Sequence, residues 1–173
     1  SSLLYLSRQP KLFRWVRNNG LAKAMARRFV AGETVAQAMD AVRLLNARGI
    51  SAALDLLGES VTNETEARAS GEEYLRLLDA IASGKLDANV SVKLTAMGQD
   101  IGDRLCEEVM CAILGRAEQY GSFVRLDMEG SAYTQRTLDF FESRLYRRFP
   151  GNVGIVLQSA LRRTPDRTRS RRK

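Results

Sequence analysis

From Gly49 onward the chain alternates between two hydrophobic periods. Short apolar runs of strand length stand at 50–57 (I-S-A-A-L-D-L-L), 89–95 (N-V-S-V-K-L-T), 121–129 (G-S-F-V-R-L-D-M-E) and 152–159 (N-V-G-I-V-L-Q-S). Between them lie longer segments whose apolar residues recur at helical spacing. Asn63 followed by Glu66 signs the start of a helix carrying Tyr74, Leu75, Leu78 and Ile81. A second helix is expected from about Asp103 to Tyr120, and a third carries Leu138, Phe141, Leu145 and Phe149 into Pro150 and Gly151. The spacing of the runs matches strand-helix-strand crossovers, so the pattern predicts an α/β fold with a parallel sheet and right-handed connections.

The first 48 residues read as a helical lead-in. Arg8 to Val30 is roughly amphipathic and is broken near Asn18, Asn19 and Gly20. A better-signed helix follows, with Thr34 as cap, Gln37 three residues on, and Val35, Ala38, Val42 and Leu45 on one face before Gly49. Residues 160–173 lose all apolar periodicity. The expected organisation is a helical segment over 1–48, the α/β unit over 49–161 and a basic, disordered end over 162–173.

Composition narrows the chemistry. The chain of 173 residues contains no histidine, which excludes histidine-based triads and His-containing metal sites. Its net charge of +7 is concentrated at one end: Arg162 to Lys173 holds seven basic residues and one acid, leaving 20 basic against 19 acidic residues elsewhere. A neutral body with a basic end does not point to nucleic acid, and no such partner is expected. Cys106 and Cys111 fall in one helical pattern, where the rise alone separates them by about 7.5 Å, too far for a disulfide. No apolar run approaches the ~20 residues of a spanning helix, and a cytoplasmic protein is expected.

Each apolar run ends in polar groups. The first offers Asp55 and Glu59, the second Lys93 and Thr95, the third Asp127 and Glu129, the fourth Gln158 and Ser159. In parallel α/β sheets ligands bind outside the strands' carboxyl ends, so these residues are the candidates for function. Asp127 has two readings, a cap for the helix that follows or a group facing the site. Side chains alternate along a strand, so Lys93 and Asp127 can point the same way and pair, with Leu94 and Leu126 turned to the helices.

Taken together, A-L-D-L-L-G-E at 53–59, S-V-K-L-T at 91–95, F-V-R-L-D-M-E at 123–129 and G-I-V-L-Q-S at 154–159 resemble, in order and spacing, the flavin-dependent proline dehydrogenases, particularly the monofunctional bacterial kind. The resemblance covers about residues 8–164. It implies a (β/α)8 barrel of TIM type, of which this chain would hold the N-terminal helices and the first half, four strands. It implies FAD at the strands' carboxyl ends and oxidation of L-proline to pyrroline-5-carboxylate, by hydride transfer from ring C5 to flavin N5. Position by position, it implies that Lys93 pairs with the proline carboxylate, Asp127 is the active-site aspartate, and Met128 contacts the flavin through its backbone. Val156 and Gln158 would lie against the isoalloxazine ring, and Glu59 would form a gating ion pair. The implied electron acceptor is a quinone or another carrier, with membrane-surface contact through that acceptor.

The family's later elements, an arginine on strand five, a K-G-A-Y segment and a last helix with two arginines and a tyrosine, have no counterpart in these 173 residues. Two unpaired barrel edges would then invite self-association. The alternative reading is an inactive truncated fragment, or one half of a split barrel without catalysis of its own.

Overall fold

The computed structural model describes residues 31–32, 34–58 and 61–157. The expected helix over Arg8–Val30 and the basic end over 162–173 lie outside them, as do Glu59 and Gln158.

The chain enters through α1 (Val35–Asn46), whose cap Thr34 accepts the N–H of Gln37 at 3.3 Å, and leaves it through Gly49 at φ 72°. Four strands follow in strict alternation with helices: β1 (Ala52–Asp55), α2 (Glu64–Ser83), β2 (Ala88–Val92), α3 (Asp103–Gln119), β3 (Val124–Leu126), α4 (Thr134–Phe140) and β4 (Val153–Ile155). They form one parallel sheet in the order β1-β2-β3-β4. The start of α2 is held as its sequence predicts, with Asn63 accepting the N–H of Glu66 at 3.0 Å. The Glu66 carboxylate reaches back to the N–H of Thr62, at 2.7 Å, one residue earlier than a capping box would take it.

The sheet has one covered face. Leu54, Val90, Val92, Val124 and Leu126 are buried in a core shared with Tyr74, Leu77, Leu78 and Ile81 of α2 and Val109, Met110, Ile113 and Leu114 of α3. Each such side chain taken fully out of water contributes about 1.5–3 kcal/mol, which is why the two long helices lie here. The alternate residues, Ala53, Asp55, Asn89, Ser91, Phe123, Arg125 and Gly154, are exposed or half-buried, and no described element covers them. Phe123, an apolar residue of the third run, is 41% exposed and lies against Gly154, where its ring occupies the space a Cβ would need.

The strands are shorter than the apolar runs that mark them. In the second, Leu94 turns into the right-handed helical region, and Thr95–Met97 forms a 3-10 turn closed by Gly98 at φ 86°. Leu94 and Met97 stay fully buried there, so hydrophobicity continues after pairing has stopped. The helix expected to run on to Phe149 is α4 followed by a π-helical turn, Phe141–Leu145, which keeps Phe141 and Leu145 in the core.

Candidate active site

The register sets the site. Asp55 pairs with Ser91, and Ser91 with Arg125, across the uncovered face. Just beyond, the N–H of Asp127 donates to the carbonyl of Val92 at 2.9 Å and the N–H of Val156 to that of Leu126 at 2.9 Å. These bonds carry the ladder past the strand ends and set Lys93, Asp127 and Val156 side by side at one edge of the sheet. Because side chains alternate, all three project to the uncovered face while Val92, Leu94 and Leu126 project into the core.

Lys93 is paired there with Asp55. Its Nζ forms an ion pair with Asp55 Oδ2, the lysine side chain being 15% exposed and the aspartate 34%. The structure thus pairs Lys93 with the first strand, whereas the sequence pattern pointed to Asp127. Asp127 Oδ1 accepts the N–H of Met128 at 3.0 Å. The alternative role of Asp127, as a helix cap, is excluded: α4 begins seven residues later, after Tyr133, with no side-chain cap. Met128 is buried, and Asp127, Val156 and Glu129 are half-buried.

Glu129 clamps the neighbouring strand end. Its carboxylate accepts the N–H of Thr95 at 3.2 Å and the Thr95 hydroxyl, tying the segment after β3 to the turn after β2. On the other side of Lys93, Tyr74 of α2 is 1% exposed and places its hydroxyl 2.8 Å from the carbonyl of Ser91 and 3.2 Å from Asp55 Oδ1, accepting the N–H of Leu56 at 3.3 Å. Burial pushes the Tyr74 phenol well above its ordinary value, and the negative charges of Asp55 and Asp127 add to it, so the proton stays on. Tyr74 was legible in the sequence only as an apolar helix position. The available signal was that a buried tyrosine hydroxyl needs a partner, and a carboxylate stood at the end of the preceding strand.

The arrangement presents an ammonium and a carboxylate at adjacent strand ends, with the half-buried Val156 beside them on the next strand. Such a site can hold a small zwitterion, cation and anion each opposite its complement. Among the described residues no group of acidic and cysteine side chains is placed to hold a metal ion, and no helix is long and apolar enough to cross a membrane. Both cysteines are free thiols, Cys106 buried in α3.

Residues 38–172 match the family model for proline dehydrogenase. The chain belongs to the proline dehydrogenase family. The matched span runs beyond the motifs noted above and includes most of the basic end. Proline dehydrogenase 1 of Bacillus subtilis subsp. natto is 36% identical over 163 residues, which is 94% of this chain and 53% of that protein. Proline dehydrogenase of Deinococcus radiodurans is 34% identical over 143 residues, 81% of this chain and 46% of that protein. The chain therefore spans about half the length of the curated proline dehydrogenases it matches. Among solved structures, proline utilization A from Bdellovibrio bacteriovorus, inactivated by N-propargylglycine, superposes with a TM-score of 0.75 at 24% identity, over 86% of this chain and 18% of that one. That likeness shows the fold, a parallel four-stranded α/β unit.

Proposed function

We propose that this chain supplies the proline- and flavin-facing half of a proline dehydrogenase, which oxidises L-proline to pyrroline-5-carboxylate. The observation that carries the reading is the row Lys93, Asp127 and Val156 at the carboxyl ends of consecutive parallel strands, in a chain of this family. Proline is a small zwitterion. Lys93 takes its carboxylate, and Asp127 lies on the next strand within the same row, facing the ring nitrogen side. Both charges stand beside the apolar Val156, and the oriented pose is the protein's main contribution to rate.

The residues present suit FAD. Its flat ring needs an apolar surface and backbone or side-chain polar groups at its edge; Val156 offers the first, and Asp127 with the Met128 backbone offers the second. When bound, FAD supplies the acceptor for the hydride that leaves proline C5. The family motifs give Gln158 the role of a second ring contact and Glu59 that of a gating residue. The sheet is read as the first half of a (β/α)8 barrel, whose uncovered face is the barrel interior. Electrons then pass to a quinone or another carrier, reached from the cytoplasmic side of a membrane surface.

The test is an absorbance spectrum from 300 to 550 nm after incubation with FAD and desalting, then after addition of proline. Retained flavin bands that bleach with proline support the reading, and a soluble chain that retains no flavin overturns it for the chain by itself. In an assembled enzyme, Lys93→Ala is expected to raise KM for proline at least about ten-fold, the loss of one charge-assisted contact of about 1.5–3 kcal/mol. Asp127→Ala is expected to lower turnover with the fold intact.

A further inference from the structure

Asp55 is bonded through both of its oxygens, to two different elements. Oδ2 takes the Lys93 ammonium and Oδ1 lies 3.2 Å from the Tyr74 hydroxyl. Tyr74 is itself fixed: it is 1% exposed in the α2 face that packs on the sheet, and its hydroxyl also meets Ser91 O at 2.8 Å and the N–H of Leu56 at 3.3 Å. Its single proton is shared between Ser91 O and Asp55, and its lone pair serves Leu56. One hydroxyl thus ties β1, β2 and the carboxylate between them. The register places Asp55 opposite Ser91, two residues before Lys93 on the same face, so the carboxylate sits beneath the ammonium along the strand. A lysine side chain has four rotatable bonds, and the ion pair with Asp55 narrows the positions its ammonium samples over the sheet face.

We propose that Asp55 and Tyr74 are positioning residues, the buried hydroxyl anchoring a carboxylate that holds the Lys93 ammonium, charged, at the mouth of the strands. This rests on the reading of Lys93 as the group that meets the substrate carboxylate. It adds that substrate binding depends on a hydrogen-bonded chain from the core of α2 and not on Lys93 alone. A carboxylate beneath Lys93 also makes the site selective for one anion at a time, because the ammonium must be shared between Asp55 and the ligand.

The test reads Lys93 directly, without substrate or flavin. The rate of acetylation of Lys93 by acetic anhydride at pH 8 is measured by peptide mass spectrometry against the exposed Lys85 of the same molecule. Only the uncharged amine reacts, so removing the neighbouring carboxylate raises the Lys93 to Lys85 ratio. Asp55→Asn is expected to raise it about five-fold or more, Asp55→Glu to return it toward the wild-type value, and Tyr74→Phe to raise it about two-fold. An unchanged ratio in Asp55→Asn, with wild-type circular dichroism, overturns the role of Asp55. If Asp55→Asn does not fold, Tyr74→Phe decides: it keeps the ring in the core, a raised ratio supports the chain of bonds, and an unchanged ratio overturns it. Failure of the wild-type protein to retain flavin or respond to proline bears on the proline dehydrogenase reading and leaves this ratio untouched.

Discussion

Gln99 provides a sharp test of the packing below the site. It follows the 3-10 turn of the second strand end, and its backbone is fixed where the carbonyl accepts the Arg136 guanidinium at 2.5 Å. Its side chain is fully buried, and neither Nε2 nor Oε1 has a hydrogen-bond partner among the described residues. A buried amide left unpaired costs about 1–3 kcal/mol, whereas leucine has nearly the same volume and no polar atoms to desolvate. Gln99→Leu is therefore expected to stabilise the protein by about 1–3 kcal/mol, or roughly 3–9 °C in Tm for a chain of this size. Guanidinium titration followed by circular dichroism measures it, as a rise in midpoint at unchanged slope. A midpoint that stays or falls would mean that the amide is satisfied, and the reasoning would be refuted. Gln99→Ala separates the two contributions: it also removes the amide but opens a cavity, so it should fall well below Gln99→Leu.

Other expectations follow from single contacts. Gly71 lies where α2 meets α3, and a Cβ there would stand 2.7 Å from Val109 Cγ1. Gly71→Ala should therefore destabilise by about 1–3 kcal/mol despite the better helix propensity of alanine, and Val109→Ala in the same chain should recover part of it, as a double-mutant cycle would show. Glu66, Asp79 and Glu108 are held below the ordinary carboxylate range, by hydrogen bonds from Thr62, from Arg116 and from Arg68 respectively. Their contribution is complete above the unfolded values, 4.5 for Glu66, and is lost as pH falls through the lowered folded values. Tm should be level from pH 7 to about 5 and decline below, and 0.5 M salt should flatten the decline. Burial pushes the Cys106 thiol well up, and Cys111 is raised for the same reason. The folded protein should react slowly with a thiol reagent at pH 8, and both sulfurs should become available on unfolding.

Much of the fold was legible in the residues because it rests on local periodicity. The change from strand-length runs to helical spacing located all four strands, and the caps Thr34 and Asn63 marked helix starts whose hydrogen bonds are local. The likeness of four strand-end motifs likewise pointed to the proline dehydrogenase family before any contact was known. What local pattern could not supply was extent and partnership. The second apolar run continues to Thr95, but pairing stops at Val92 because Leu94 and Thr95 turn into the core, and both conformations bury apolar surface equally well. Phe123 reads as a buried strand residue because hydrophobicity says nothing about which face will be covered.

The same distinction governs the site. Alternation along a strand put Lys93 and Asp127 on one face, since the pleat has a period of two wherever it forms. Which carboxylate meets the ammonium was decided by the register of β1 against β2 and by a helix packed behind them. Those bring Asp55, 38 residues away in the chain, to the ammonium, and Tyr74 to Asp55. Residue type and spacing specify what a strand end can offer. Distances between strand ends exist only once the strands have paired and the helices have chosen the face they bury.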